Sequence, residues 1–181
     1  MKITCPVPWL LLLADAVIDA LLALLDEAYD RRSWHGTNLR GAVTTLAPHQ
    51  VTWRPGPGRH NVWELVVHAA YWKYVVRKRV SGAPRGGFPL AGTNFYPRDG
   101  AFDDGRWRAD LELLADQHRQ LREMVATLGD ADLARRVGGR PLAWTIRGAA
   151  AHDLYHAGQI QLLRTLAPPP RRVGRSKGAH R

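Results

Sequence analysis

At 181 residues and 45% hydrophobic side chains, the chain has enough apolar content for one sizeable core, which excludes a disordered or fibrous protein. Its single cysteine, Cys5, rules out an internal disulfide and any cysteine-rich zinc module, and it suits a reducing cytoplasm. Of the formal net charge of +10, five positive charges sit in an acid-free tail (Arg171, Arg172, Arg175, Lys177 and Arg181), which leaves +5 on a mildly basic remainder.

The longest apolar run, Val7 to Ala14, is interrupted by Pro8 and closed by Asp15, so it is too short for a membrane span. Lys2, the leucine run and Ala14-Asp15-Ala16 imitate a signal peptide, but the run continues as an amphipathic helix, and a cytoplasmic protein is expected. That first helix is predicted from near Pro8 to about Asp30, with Leu21, Leu24, Leu25 and Ala28 inward. Trp34, His35 and Gly36 break it, helical spacing resumes from Asn38 to Leu46, and Pro48 with Pro55-Gly56-Pro57-Gly58 reads as a connector. Asn61 is an N-cap with Glu64 as capping-box partner, opening a second helix that runs to about Ser81. Positions 82–100 are rich in Gly and Pro yet carry Phe88, Phe95 and Tyr96. They form a packed loop that either covers the end of the bundle or walls a site.

A third helix is predicted from about Phe102 to Leu128, with Trp107, Leu111, Leu114, Leu121 and Val125 inward and His118 toward solvent. A linker of about 129–143 leads to a last helix from Thr145 to about Ala167, stopped by Pro168-Pro169-Pro170. No stretch alternates as a half-buried strand does, so the expected fold class is all-α: an antiparallel four-helix bundle with a long loop between helices two and three. Residues 1–167 would form this single domain and 168–181 a basic, disordered tail with nonspecific contacts to nucleic acid at most.

Three histidines carry the chemical signal. His152 and His156 stand i,i+4, about 40° apart on a helical wheel, on a stripe with Thr145, Ala149, Gln159, Ile160, Leu163 and Leu166. His68 shares its face with Leu65, Trp72 and Val75, away from Lys73 and Arg77. A lone histidine on such a face is ordinarily a hydrogen-bonded core residue, but two of them one turn apart and facing inward suit a shared cation. His68 adds a third nitrogen from another helix, completing a His₃ set whose remaining position is open, as in catalytic sites.

Trp34-His35-Gly36, the run from Arg59 to His68, and the run from His152 to Ile160 resemble the DinB/YfiT-like superfamily of metal-binding four-helix bundles, over roughly residues 17–167. The resemblance implies that His68, His152 and His156 hold a divalent ion, commonly nickel or zinc. It also implies thiol-dependent transferases, an isomerase and proteins labelled metal-dependent hydrolases as similar members, with small-molecule substrates such as low-molecular-weight thiols, and often dimers. An apolar face on the first helix would serve a homodimer.

An ion held by three neutral imidazoles keeps its charge and lowers the pKa of bound water or thiol toward about 7. Glu64, one turn before His68, is a candidate catalytic residue orienting a ligand or taking a proton, or simply the capping-box partner. Gln159 is the other candidate, bonding a metal-bound water or substrate, or a core carbonyl. Tyr71, Trp72 and Tyr155 flank the stripe as packing, and His35 and His60 sit at helix junctions without ligand spacing. His-Asp-x-x-His around Asp153 echoes zinc peptidases, but Asp is a methylene short and the third histidine is misplaced for that pattern. The expected function is therefore a metal-dependent hydrolase or thiol S-transferase, with a non-catalytic, metal-stabilised binding or stress-response module as the alternative.

Overall fold

A computed structural model describes residues 16–84 and 86–170. Cys5, the helix start near Pro8, the leucine-rich opening and the basic tail from Arg171 lie outside the described residues. The fold is all-α, as its spacing predicts: α1 (Ala16–Tyr29), the short α2 (Leu39–Val43) and α3 (Pro48–Thr52), α4 (Val62–Ser81), α5 (Asp104–Val125) and α6 (Leu142–Leu166).

Local chemistry sets these bounds. Asn38 caps α2 by accepting from the Gly41 N–H, Asn61 caps α4 by accepting from that of Glu64, and Asp103 caps α5 at Arg106. Gly82 ends α4 in the left-handed conformation at φ 70°. Pro48 opens a helix instead of belonging to an irregular connector, because its missing N–H falls in the first turn, where no partner is needed. The linker expected at 129–143 holds a 3-10 turn (Asp130–Ala134) and a two-residue hairpin, β1 (Arg136–Val137) with β2 (Arg140–Pro141). Gly138 and Gly139, at φ 59° and 80°, supply the mirror-image turn that such a hairpin requires. Asp130 accepts from the N–H groups of Val17 and Ile18, tying this linker to the start of α1.

Among the described residues the four long helices pack as a ring, α4 against α5 and α6, and α1 against α6 and α5. Helix α4 is the central one: every residue from Val62 to Tyr71 is buried, so no face of that segment is left for solvent. For that reason Lys73, assigned to an outward face by the wheel, is instead 2% exposed. On α5, His118 was expected in solvent; it is buried too, stacked on Tyr29. The buried stripe of α6 runs through Ile146, Ala149, Ala150, Asp153, His156, Ala157, Ile160 and Leu163. It is centred on Asp153, a position later than expected, and Leu166 is therefore half exposed.

Candidate metal centre

Because α6 packs along α4, the pair of histidines one turn apart on α6 meets His68 from α4. The Nε2 atom of His152 lies 3.2 Å from that of His68 and 3.0 Å from that of His156, and the ligand atoms of all three fall within 4.8 Å of one another. The three residues singled out by spacing thus form a group that can hold a metal ion.

The rest of each ring supports that use. The Nδ1–H of His68 donates to the Asn94 carbonyl at 2.9 Å, and the Nδ1–H of His156 donates to Gln159 Oε1 at 2.6 Å. With Nδ1 carrying the proton, each Nε2 presents a lone pair to the shared point, the tautomer that a metal ligand needs. Burial holds His152 down to about 3, helped by His156, His68 and Lys73, and holds His156 down to about 4 despite the bond to Gln159. Burial lowers His68 as well. Burial thus keeps all three rings toward the neutral form, and the contacts of His152 Nε2 with the other two Nε2 atoms gather the three ring nitrogens around one point.

A divalent ion fits this donor set. Two metal–nitrogen bonds of about 2.1 Å, at angles between octahedral and tetrahedral, separate their nitrogens by about 3.0–3.4 Å. The two spacings to His152, 3.0 and 3.2 Å, fall in that range, while His68 and His156, within 4.8 Å of each other, would draw together on an ion; neutral imidazoles suit borderline divalent ions. Beside the three rings opens a cavity of about 460 Å³, reached past Arg59, His60, Phe95, Tyr155, Gln159 and Leu162.

A model of the DinB superfamily matches residues 31–160. The chain belongs to the DinB superfamily. No curated protein and no solved structure matches the chain. The matched stretch holds His68, His152, His156 and Gln159, together with the loop residues that brace them.

In this DinB-superfamily chain the long loop walls the site through one aromatic. Phe95 stacks on His68 at 3.9 Å between centroids and on His60 at 3.6 Å, while Phe88 and Tyr96 pack away against Tyr71 and Tyr74. Asn94 has no counterpart in the sequence reading. It adopts φ 65°, turning its carbonyl to His68 while its Oδ1 accepts from Trp72 Nε1 at 2.9 Å. An Asn among loop glycines is a weak signal, since Asn tolerates the left-handed region in many turns. Tyr155 is 63% exposed at the cavity, and Trp34-His35-Gly36 forms an exposed turn apart from the cavity-lining residues.

Glu64 is buried, and its carboxylate accepts from Arg54 at 2.8 and 2.6 Å, from His60 Nδ1 at 2.9 Å and from the Arg98 N–H at 3.2 Å. Burial alone would raise its pKa, but the bonds from Arg54, His60 and Arg98 outweigh it and bring the group to about 2. The Arg98 guanidinium continues the network, binding Asp110 through Nε at 2.7 Å and Nη2 at 3.0 Å, and Asp110 also accepts from Trp63 Nε1.

A second buried network lies directly behind the histidines. Lys73 Nζ donates to Asp153 Oδ2 and to His118 Nδ1, and it stands 4.9 Å from the centre of the Tyr29 ring. Asp153, next to His152, is thereby committed to an ion pair inside the bundle. Burial, with Lys73 and Arg122 alongside, lowers His118 to about 3.

Proposed function

We propose that this protein is a divalent-metal-dependent enzyme, of hydrolase or thiol S-transferase type, in which His68, His152 and His156 hold nickel or zinc. The observation that carries the reading is the convergence of three imidazole nitrogens, with the His68 and His156 rings already oriented through Nδ1 by Asn94 and Gln159. An ion bound there supplies Lewis acidity that brings a water or a low-molecular-weight thiol toward its ionised, nucleophilic form near neutral pH.

The chain's own groups prepare that chemistry. Gln159 holds the His156 tautomer and lines the cavity, and Phe95 covers His68 on its flat face, keeping bulk water from that side. Arg59 brings positive charge to the cavity for an anionic substrate. Glu64, ionised at about 2, acts as a positioning residue: it fixes His60, on which Phe95 is stacked. The alternative, a non-catalytic metal-stabilised binding or stress-response module, is favoured by a sealed ion, whereas the 460 Å³ cavity beside the histidines gives a substrate access to them, which supports turnover.

Two further features belong to the same reading: a homodimer formed through the apolar face of the first helix, and a reducing cytoplasm, which suits the single cysteine and a thiol substrate. No helix among the described residues is long and apolar enough to cross a membrane.

Elemental analysis of the purified protein tests the foundation. A stoichiometric divalent ion is expected in the wild type and none in His152→Ala, and thiol-dependent turnover of electrophiles should fall to background in His68→Ala. An ion retained by His152→Ala, or a wild type that takes up none, ends this reading.

A further inference from the structure

A second cavity, of about 160 Å³, meets the first at His152, which lines both. It runs between α4 and α6, with Trp72, Trp144, Val76 and Ala149 among its walls. An apolar cavity of about 150 Å³ accepts benzene, so the slot has the volume of one aromatic ring.

Its polar groups are unevenly placed. Lys73 and Asp153 line the slot, with the ammonium already bonded to Asp153 and to His118. The Oδ1 atom of Asp153 is buried with no hydrogen-bond partner among the described residues, and the Lys73 charge is already taken up by that carboxylate, so this end offers no free cation to an anionic group. Arg79 stands six residues further along α4, about 9 Å by helical rise. Its guanidinium lies 5.7 Å from the centre of the Trp72 ring, and among the described residues no carboxylate pairs with it. The slot therefore offers an unpaired cation at one level, an apolar middle and a candidate metal ligand in its wall.

Gly148 is the remaining clue. A glycine inside a helix costs about 1 kcal/mol relative to alanine, and close packing usually explains it. Here a Cβ would meet nothing within 4 Å, so no neighbour requires the glycine. What its absent side chain leaves is room in the slot.

We propose that this slot is the specificity subsite of the enzyme and takes a benzoate-sized aromatic carboxylate, its ring between Trp72 and Trp144 and its carboxylate at Arg79. The substrate role rests on the metal-dependent reading above, whereas occupation of the slot by the ring needs no ion.

The test follows the tryptophan indole N–H resonances of the full chain, with and without chelator, during titration with benzoate, acetate and benzyl alcohol. Benzoate is expected to shift the Trp72 and Trp144 signals saturably and to bind at least about tenfold more tightly than acetate, as burial of a ring predicts. Gly148→Leu should weaken benzoate by about tenfold or more with its melting temperature kept or raised, since it fills the slot and improves the helix. Arg79→Gln should weaken benzoate by roughly tenfold while leaving benzyl alcohol unchanged. Benzoate binding no better than acetate, shifts confined to Trp107 in another cavity, or unchanged affinity in Gly148→Leu would each overturn the proposal. If that variant does not fold, the wild-type shift pattern decides alone. Benzoate binding without a stoichiometric ion sinks only the metal reading; an ion without benzoate binding sinks only this one.

Discussion

The Lys73–Asp153 pair makes the sharpest energetic claim. Lys73→Met keeps most of the side-chain volume, but it leaves Asp153, which is 0% exposed, without the only side-chain hydrogen-bond donor it has among the described residues. Breaking a buried pair by removing one member is destabilising by about 3–5 kcal/mol. The carboxylate's escape is to take a proton, which at pH 7 costs about 4 kcal/mol for a group whose unfolded pKa is about 3.9, and this sets the ceiling. We therefore expect Lys73→Met to lower the unfolding free energy by about 3–4 kcal/mol at pH 7. Removing both charges as Lys73→Met/Asp153→Leu should recover most of that loss, because two apolar side chains then pack where two ions were desolvated. Urea unfolding of the chelator-treated chain, with slopes compared between variants, measures both values. A single-variant loss below about 1 kcal/mol, or a double variant no more stable than the single, would refute the assignment of an unaided buried ion pair.

The buried histidines fix how stability varies with acidity. His118, His152 and His156 have folded values of about 3, 3 and 4 against an ordinary 6.5, so as pH falls the unfolded chain takes up protons that the folded chain refuses. Their contribution is complete above about pH 6.5 and is lost on acidification, with a slope approaching about 4 kcal/mol per pH unit near pH 5 in the metal-free protein. Urea midpoints that stay level between pH 7 and 5 would contradict this. Gln159→Leu, which removes the acceptor from His156, should weaken metal binding by about 10–100-fold in a chelator competition while the fold persists. Asn94→Gly keeps the left-handed backbone and the carbonyl that holds His68, whereas Asn94→Ala adds about 1–2 kcal/mol of strain, so the alanine variant should melt lower. Equal melting temperatures would show that the φ of 65° is not what the position requires.

How far the molecule can be read from its residues depends on which rule each residue obeys. Spacing on a helix is a rigid geometric rule, so His152 and His156, one turn apart, and the bounds of α4 at Asn61 and Gly82 followed from the sequence. The outward readings of Lys73 and His118 fail for a single reason: they assign charged and polar residues to solvent one helix at a time. The two meet, with Asp153, across α4, α5 and α6, a fact of tertiary packing that no single-helix pattern contains. Asn94 and Arg98 escaped for another reason, since loop contacts across 26 and 34 residues leave no periodic trace.

The loop after α4 is nevertheless the element that makes the histidines a site. The Arg98 N–H bonds Glu64, its guanidinium bonds Asp110 on α5, and Asn61 at the head of α4 donates to the Arg98 carbonyl, so one loop residue is fastened to two helices. Only a few residues earlier, Asn94 and Phe95 hold His68 by its edge and by its face. A charge-paired anchor that close leaves the intervening chain little freedom, which turns a glycine-rich loop into a rigid brace for a metal ligand. The α6 pair needs no such brace, because helical geometry already fixes His152 against His156. The candidate site therefore combines two ligands positioned by local structure with one positioned by long-range electrostatics. Loosening Arg98 should misplace His68 before it disturbs either histidine on α6.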